Sequence, residues 1–330
     1  MSRLFQQTPT TLELSRNHKN MKTTKSKHRA SHDLMGPLRR SLVCAALVSL
    51  VAPALNAAEP PQGFSPDYDV AANYSFSTNG DLERGTKVGE VEVKHADLEA
   101  GLTFRSFEGW RFRTGVFANT SDIELTGAVP LPDQLEATGL SLSATKFFGG
   151  EAANNWRATL ILRPGVFSDG SGSSSDGFNV PGILTIGKRS SPTLSWDAGV
   201  RFDPTSKNEI LPMFGVRWDF HPDWMLSVGF PRTEVTYKLA PNWTLKGGLR
   251  FQGGTYHVET ALAPGLGDTY LEYREIRVGA GFEWKINGSL SVNLDGGMVA
   301  DRRFDYFERG YELKGGDSAA YLSIGLSARF

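Results

Sequence analysis

Cysteine is almost absent. Cys44 is the only one in 330 residues, so no intrachain disulfide can form. Histidine is scarce too: of six, His18, His28 and His32 fall in the first 60 residues, which leaves His95, His221 and His257 for acid–base or metal chemistry beyond. No uninterrupted run of 18 apolar residues occurs, which excludes a membrane-spanning helix. At 40% hydrophobic and 22% charged, the composition otherwise matches an ordinary globule.

The N-terminal region differs from the rest. Nine Lys and Arg, from Arg3 to Arg40, face only Glu13 and Asp33 before the apolar stretch from Ser41 to Leu55, 15 residues long. A basic start, a short apolar run and small residues around Asn56 to Ala58 follow the order of a cleaved secretory signal peptide. Residues 1–57 are therefore an N-terminal extension plus signal peptide, with cleavage expected near Ala57, Ala54 and Ala58 being alternatives. Translation starting at Met35 would give a compact leader, MGPLRR. Residues 58–68 follow as a short periplasmic segment. Nine of the 35 basic and two of the 36 acidic residues fall within the first 57, so the remainder holds 26 and 34 and carries a net charge of −8. That balance argues against nucleic acid as a partner.

Beyond the leader, period-two alternation recurs. Trp196, Ala198, Val200 and Phe202 alternate with Ser195, Asp197, Gly199 and Arg201; Ile276, Val278, Ala280, Phe282 and Trp284 alternate with charged residues or glycine. Each such stretch is a strand between two different environments. A soluble sandwich alternates as well, and the tryptophans separate the readings. All seven (Trp110, Trp156, Trp196, Trp218, Trp224, Trp243 and Trp284) lie close to short polar turns at 107–110, 151–156, 188–192, 221–224, 240–243 and 284–289. Indoles at one level are what a membrane interface selects, because the ring is apolar and its N–H wants water. They are expected to form an interfacial girdle.

The other connections are longer: TNGDLERGTK from 78, SDIELTGAVPLPD from 121, SDGSGSSSDGFN from 168, DPTSKNE from 203, a Gly/Pro-rich stretch at 253–268, and DRRFDYFERGYELKGGDS from 301. Short turns at one end and long loops at the other are the asymmetry of a single-chain antiparallel transmembrane β-barrel, periplasmic turns below and extracellular loops above. With GFPR at 229–232 as a seventh outer connection, the all-β domain over 69–330 has 14 strands; 12 is the alternative. The predicted strands are 69–78, 88–106, 110–121, 134–148, 155–167, 179–188, 193–203, 208–219, 223–230, 232–240, 242–252, 269–284, 289–300 and 319–330.

The phase of the alternation turns Glu99, Arg105, Arg113, Arg157, Arg163, Asp197, Arg201, Arg217, Glu234, Lys246, Arg250, Arg277, Glu283 and Asp295 inward. Arg or Lys facing lipid at mid-depth would cost about 2–4 kcal/mol each, so these residues require a polar lumen. In the final stretch AYLSIGLSARF, Leu322, Ile324, Leu326, Ala328 and Phe330 share the lipid-facing side. This strand is expected to pair with the first and close the barrel.

LPMFGVRWDFHPDWMLSVGFPRTEVTYKLAPNWTLKGGLRF, with RPGVFSD at 163–169, resembles a family of uncharacterised outer-membrane β-barrel proteins of Gram-negative bacteria, a domain of unknown function. Its markers are Leu211, Pro212, Gly215 and Trp218, then Phe230 and Pro231. The resemblance implies fold and location and supplies no catalytic residues. The terminal aromatic Phe330 likewise resembles the signal read by the barrel-assembly machinery of such bacteria.

No nucleophile stands at a recognisable spacing from His95, His221 or His257. SDGSGSSSDG, with Asp169 and Asp176, lacks the carboxylate spacing of a calcium loop. No enzyme, cofactor or metal is expected. Two readings fit the lumen: a passive or facilitated channel for small polar or anionic solutes, or a plugged barrel whose charges neutralise one another in a structural or surface-binding role. An outer-membrane hydrolase is a further alternative. The expected partners are outer-membrane lipid, the assembly machinery and a small polar solute.

Overall fold

The structure, a computed structural model, describes residues 66–105, 109–148, 156–171, 175–316 and 319–330. The leader, its cleavage site and the Arg105 side chain lie outside the described residues. No helix among the described residues is long and apolar enough to cross a membrane.

The alternating stretches form β1 (Asp67–Glu83), β2 (Lys87–Arg105), β3 (Trp110–Thr126), β4 (Gln134–Phe147), β5 (Trp156–Leu162), β6 (Gly165–Ser168), β7 (Phe178–Asn179), β8 (Gly182–Arg189), β9 (Leu194–Phe202), β10 (Ile210–His221), β11 (Trp224–Val228), β12 (Arg232–Ala240), β13 (Trp243–Val258), β14 (Thr269–Lys285), β15 (Leu290–Tyr306), β16 (Tyr311–Gly315) and β17 (Ala319–Arg329). β6 continues β5 along β4, and β16 precedes β17 between β15 and β1. β7 is a short pair to β6 alone. The wall is thus a ring of 14 antiparallel strands, closed where β17 pairs with β1. The Tyr68 and Phe330 backbones complete the seam with reciprocal hydrogen bonds of 3.0 and 2.9 Å. Closure leaves no edge in the ring.

The short turns at 188–192, 221–224, 240–243 and 284–289 and the connection at GFPR fall where the sequence places them, those at 107–110 and 151–156 lie largely outside the described residues, and the 12-strand alternative is excluded. Two expected loops are mostly strand. TNGDLERGTK extends β1 to Glu83 and starts β2 at Lys87 around a three-residue turn. Likewise, the stretch from 301 continues β15 to Tyr306, turns through a 3-10 segment at Phe307–Arg309, and returns as β16. Their charge density reads as loop because the side chains face water on a strand that has left the apolar belt.

That exit is visible along β14. Its outward positions Trp284, Phe282, Ala280, Val278 and Ile276 are apolar, and the next are Arg274 and Glu272. The inward positions reverse at the same height: Glu283, Gly281, Gly279, Arg277 and Glu275 give way to Tyr273 and Leu271, both buried. On β2, outward Leu98 and Ala96 give way to Lys94 and Glu92, while inward Asp97 and His95 give way to Val93 and Val91. β-Bulges at this level shift the phase of β1 between Ser77 and Gly80 and of β15 beside Ile276/Arg277, so Leu82 and Phe304 turn inward.

Above the crossover, therefore, the tall strands behave like a water-soluble barrel. Leu82, Val93, Leu135, Tyr256, Tyr273 and Phe304 belong to one packed core there, and outer charges pair along and across strands, as in Lys94–Glu92 at 3.2 Å along β2 and Arg274–Asp301 at 3.6 Å between β14 and β15. β6 crosses to meet β13, His257 pairing with Ser168, which narrows the ring over this core. Below it the lumen is charged. The wall is uneven in height: β2 has 19 residues and β11 five.

Candidate functional site

In a barrel, residues opposite one another on neighbouring strands lie side by side on one face, so register converts sequence positions into rows. Three inward rows run across β12 to β17. The upper row is Arg232, Arg250, Arg277 and Val299; the middle row is Glu234, Gly248, Gly279, Gly297 and Tyr321; the lower row is Thr236, Lys246, Gly281, Asp295 and Ser323. Three arginines thus stand side by side, over a row whose centre has no side chains. Arg232, Arg250, Arg277, Lys246, Asp295 and Tyr321 of these rows line one recess open to the lumen.

Arg277 is held from above. Its Nε donates to Glu275 Oε2 at 2.8 Å and its Nη1 to Ser75 Oγ at 2.8 Å, while Arg302 Nε donates to Glu275 Oε1 at 2.6 Å. Glu275, Arg277 and Arg302 are each at most 3% exposed. This cluster seals the lumen beneath the apolar core on that side, and one nitrogen of Arg277, Nη2, is left without a partner. Arg232 meets Glu234 at 3.3 Å. Arg250 makes no hydrogen bond or ion pair among the described residues; Arg232 and Arg277 repel it and Asp295 attracts it from a distance. Like charges directly opposite on paired strands are unfavourable.

Among the described residues, the remaining expected lumen charges other than Asp295 pair close to the wall. Arg113 Nη1 lies 2.6 Å from Glu99, and its Nη2 lies 2.6 Å from Asp69; Arg163 approaches Glu99 at 3.8 Å and covers the Phe117 ring. Arg157 pairs with Asp197 at 2.7 Å and Arg201 with Asp203 at 2.6 Å. Arg217, near the short-turn end, lies 3.7 Å from Asp219. Lys246 reaches Asn293 and, at 3.4 Å, Glu283. Asp295 has neither a hydrogen bond nor an ion pair among the described residues.

Sequence reasoning missed Arg232, Glu275 and Arg302 as site residues. Glu275 carried a signal, since it continues the polar alternation of β14, whereas the bulge hides the phase of Arg302. All seven tryptophans point outward beside the short turns; Trp243 stacks on Trp284 at 5.5 Å and Trp156 meets Trp196 edge-on at 5.4 Å. Leu322, Ile324, Leu326 and Phe330 are exposed on the outer face of β17.

His95 does find partners. Its Nδ1 lies 2.7 Å from Ser121 Oγ and its Nε2 lies 2.9 Å from Asp97 Oδ1. The order serine, histidine, carboxylate is that of a nucleophile and its base. Here Ser121 is fully buried beside the apolar core, where no substrate reaches the hydroxyl, and Asn119 and Asn73 also bond Asp97. The chain of bonds ties β2 to β3 and β1.

A family model described as Domain of unknown function (DUF6268) matches residues 129–326, a span running from the connection before β4 into β17. The chain belongs to this DUF6268 family. No functionally curated protein matches it. Among solved structures, the DUF6268 chain is similar to the deltaS2 mutant of the TodX monoaromatic hydrocarbon channel, at 11% identity and TM-score 0.48 over 82% of this chain and 91% of that one. It is similar to the toluene transporter TodX of Pseudomonas putida at 10% identity and TM-score 0.43, over 82% and 90%. An outer-membrane channel from Pseudomonas putida F1 overlaps at 12% identity and TM-score 0.44, over 83% of this chain and all of that one.

Proposed function

We propose that this barrel lies in the outer membrane of a Gram-negative bacterium and admits small polar solutes bearing a negative group to its lumen. The observation that carries this reading is the in-register row Arg232, Arg250 and Arg277 with its central guanidinium unpaired. Fixed positive charge in a narrow wet space lowers the barrier to anions.

The location rests on the outer face. Ile276 to Trp284 runs about 27 Å along the strand, or roughly 20 Å of height at the usual barrel tilt, and every outward residue in that span is apolar. The tryptophans would sit at the periplasmic interface, and the C-terminal strand would be read by the assembly machinery after export and removal of the leader. No catalytic role belongs to this reading.

A plugged barrel is favoured by the apolar core at the long-connection end. A route remains beside it. Phe251 is tied to Pro231 and His257 to Ser168, and between them the edge of β13 facing β12 pairs with no strand among the described residues. That window opens above the low wall of β8 to β12, and solute would pass there to the arginine row.

Planar-bilayer recording discriminates the two. Folded protein, identified by resistance to cold SDS and a gel shift on boiling, should conduct with anion preference. Absence of current from such protein at every voltage overturns the channel reading.

A further inference from the structure

A glycine on a middle strand lets charged side chains of the two flanking strands meet above it. A Cβ at Gly101 would fall 2.5 Å from Arg113 Nη2, which crosses to Asp69 at 2.6 Å. At Gly187 a Cβ would fall 2.0 Å from Asp197 Oδ1, which accepts from Arg157 Nη2 at 2.9 Å. Both saddles are filled by an ion pair.

A third saddle is not. Gly281 lies in register between Lys246 and Asp295, and Asp295 leans over it, 2.4 Å from where a Cβ would stand. Lys246 instead turns to Asn293 and Glu283, which leaves the Asp295 carboxylate unpaired. Two rows above, Arg250 is the unpaired cation, beside the partnerless Nη2 of Arg277, which is 2% exposed. Between them Gly248, Gly279 and Gly297 put no side chain into the space, and Arg250, Arg277 and Asp295 all line the one recess.

We propose that this recess binds a small zwitterion, its carboxylate on Arg250 and Arg277 and its ammonium on Asp295. A plain anion would leave Asp295 facing negative charge, and a plain cation would face three arginines. A molecule with both ends answers each unpaired group. The proposal rests on the reading that the lumen takes up small polar solutes and adds the class of solute.

Titration calorimetry on the full-length refolded barrel, with glycine, 4-aminobutanoate and 6-aminohexanoate as probes, tests it. At least one should bind at least tenfold more tightly than butanoate and butylamine. Arg250→Met and Asp295→Asn should each weaken it tenfold or more in protein that still shows the gel shift on boiling. Butanoate binding equally well and indifferent to Asp295→Asn would make the recess a plain anion site and overturn the proposal, as would absence of binding by all three zwitterions. Conductance without zwitterion binding sinks this inference and spares the channel; binding without conductance does the reverse.

Discussion

Arg302 Nε lies 2.6 Å from Glu275 Oε1, a contact between two side chains that are 3% and 0% exposed. The same carboxylate holds Arg277 at 2.8 Å, so one negative charge serves two buried guanidinium groups where the polar lumen meets the apolar core. Glu275→Gln leaves both uncompensated and should cost about 3–5 kcal/mol, the range for breaking a buried pair. A lowered temperature for loss of the folded band on SDS gels checks this; an unchanged temperature would show the cluster to be hydrated.

Outward Leu184, 49% exposed and in register with Leu160 and Val200, faces lipid in this reading. Leu184→Arg should destabilise by about 2–4 kcal/mol in urea titrations from phospholipid vesicles. Glu124→Leu, on the same face above the crossover, should change stability by less than about 1 kcal/mol.

Gly187→Ala would drive a methyl group against Asp197 Oδ1 and, at 2.8 Å, the Trp196 carbonyl. The backbone contact cannot relax by side-chain rotation. A loss of about 1–3 kcal/mol is expected, together with separation of Arg157 from Asp197.

The connection 203–209 reaches over to β14 and β15, where Lys207 Nζ donates to Asp305 at 2.8 Å and Ser206 to Glu272 at 3.2 Å. The Asp305 hydrogen bond holds the Lys207 ammonium above its ordinary value. A raised lysine contributes stability that is full below its unfolded value of 10.5 and lost as pH climbs through the folded one. Lys207 is half exposed, so the pair is worth no more than about 1 kcal/mol. The difference in melting temperature between the wild type and Lys207→Met should be small and positive at pH 8 and shrink as pH rises above 10.5 and through the folded value.

Phe330 shares two backbone hydrogen bonds with Tyr68, yet its ring is 59% exposed. Phe330→Ala keeps the seam and removes the ring. Equilibrium stability should move by less than about 1 kcal/mol, while the yield inserted into the outer membrane in cells falls several-fold; equal yields would remove the ring from the assembly signal.

Much of this fold was legible because a strand with an unbroken apolar outer face admits so few residues. Trp196, Val200 and Phe202 could not be read as loop, and arginines such as Arg157 set the phase of their strands. What stayed hidden lies above the crossover. Phe304 and Tyr306 look like ordinary loop aromatics next to Arg302 and Arg303, because the strand has exchanged its two environments and a bulge has shifted its phase. The arginine row was hidden for another reason. Periodicity gives the face of Arg232, Arg250 and Arg277, whereas their standing side by side depends on the stagger between strands, which turn lengths alone do not fix.

The reversal between Glu275 and Tyr273 also acts as a waterline. Sliding the barrel outward by two residues along its strands would lift Ile276 clear of the lipid, and sliding it inward would immerse Arg274, so the protein can float at only one draught. If the barrel lies in the outer membrane as proposed, insertion depth is thereby written into the same strands that enclose the lumen, and the arginine row is moored at one fixed level of the membrane.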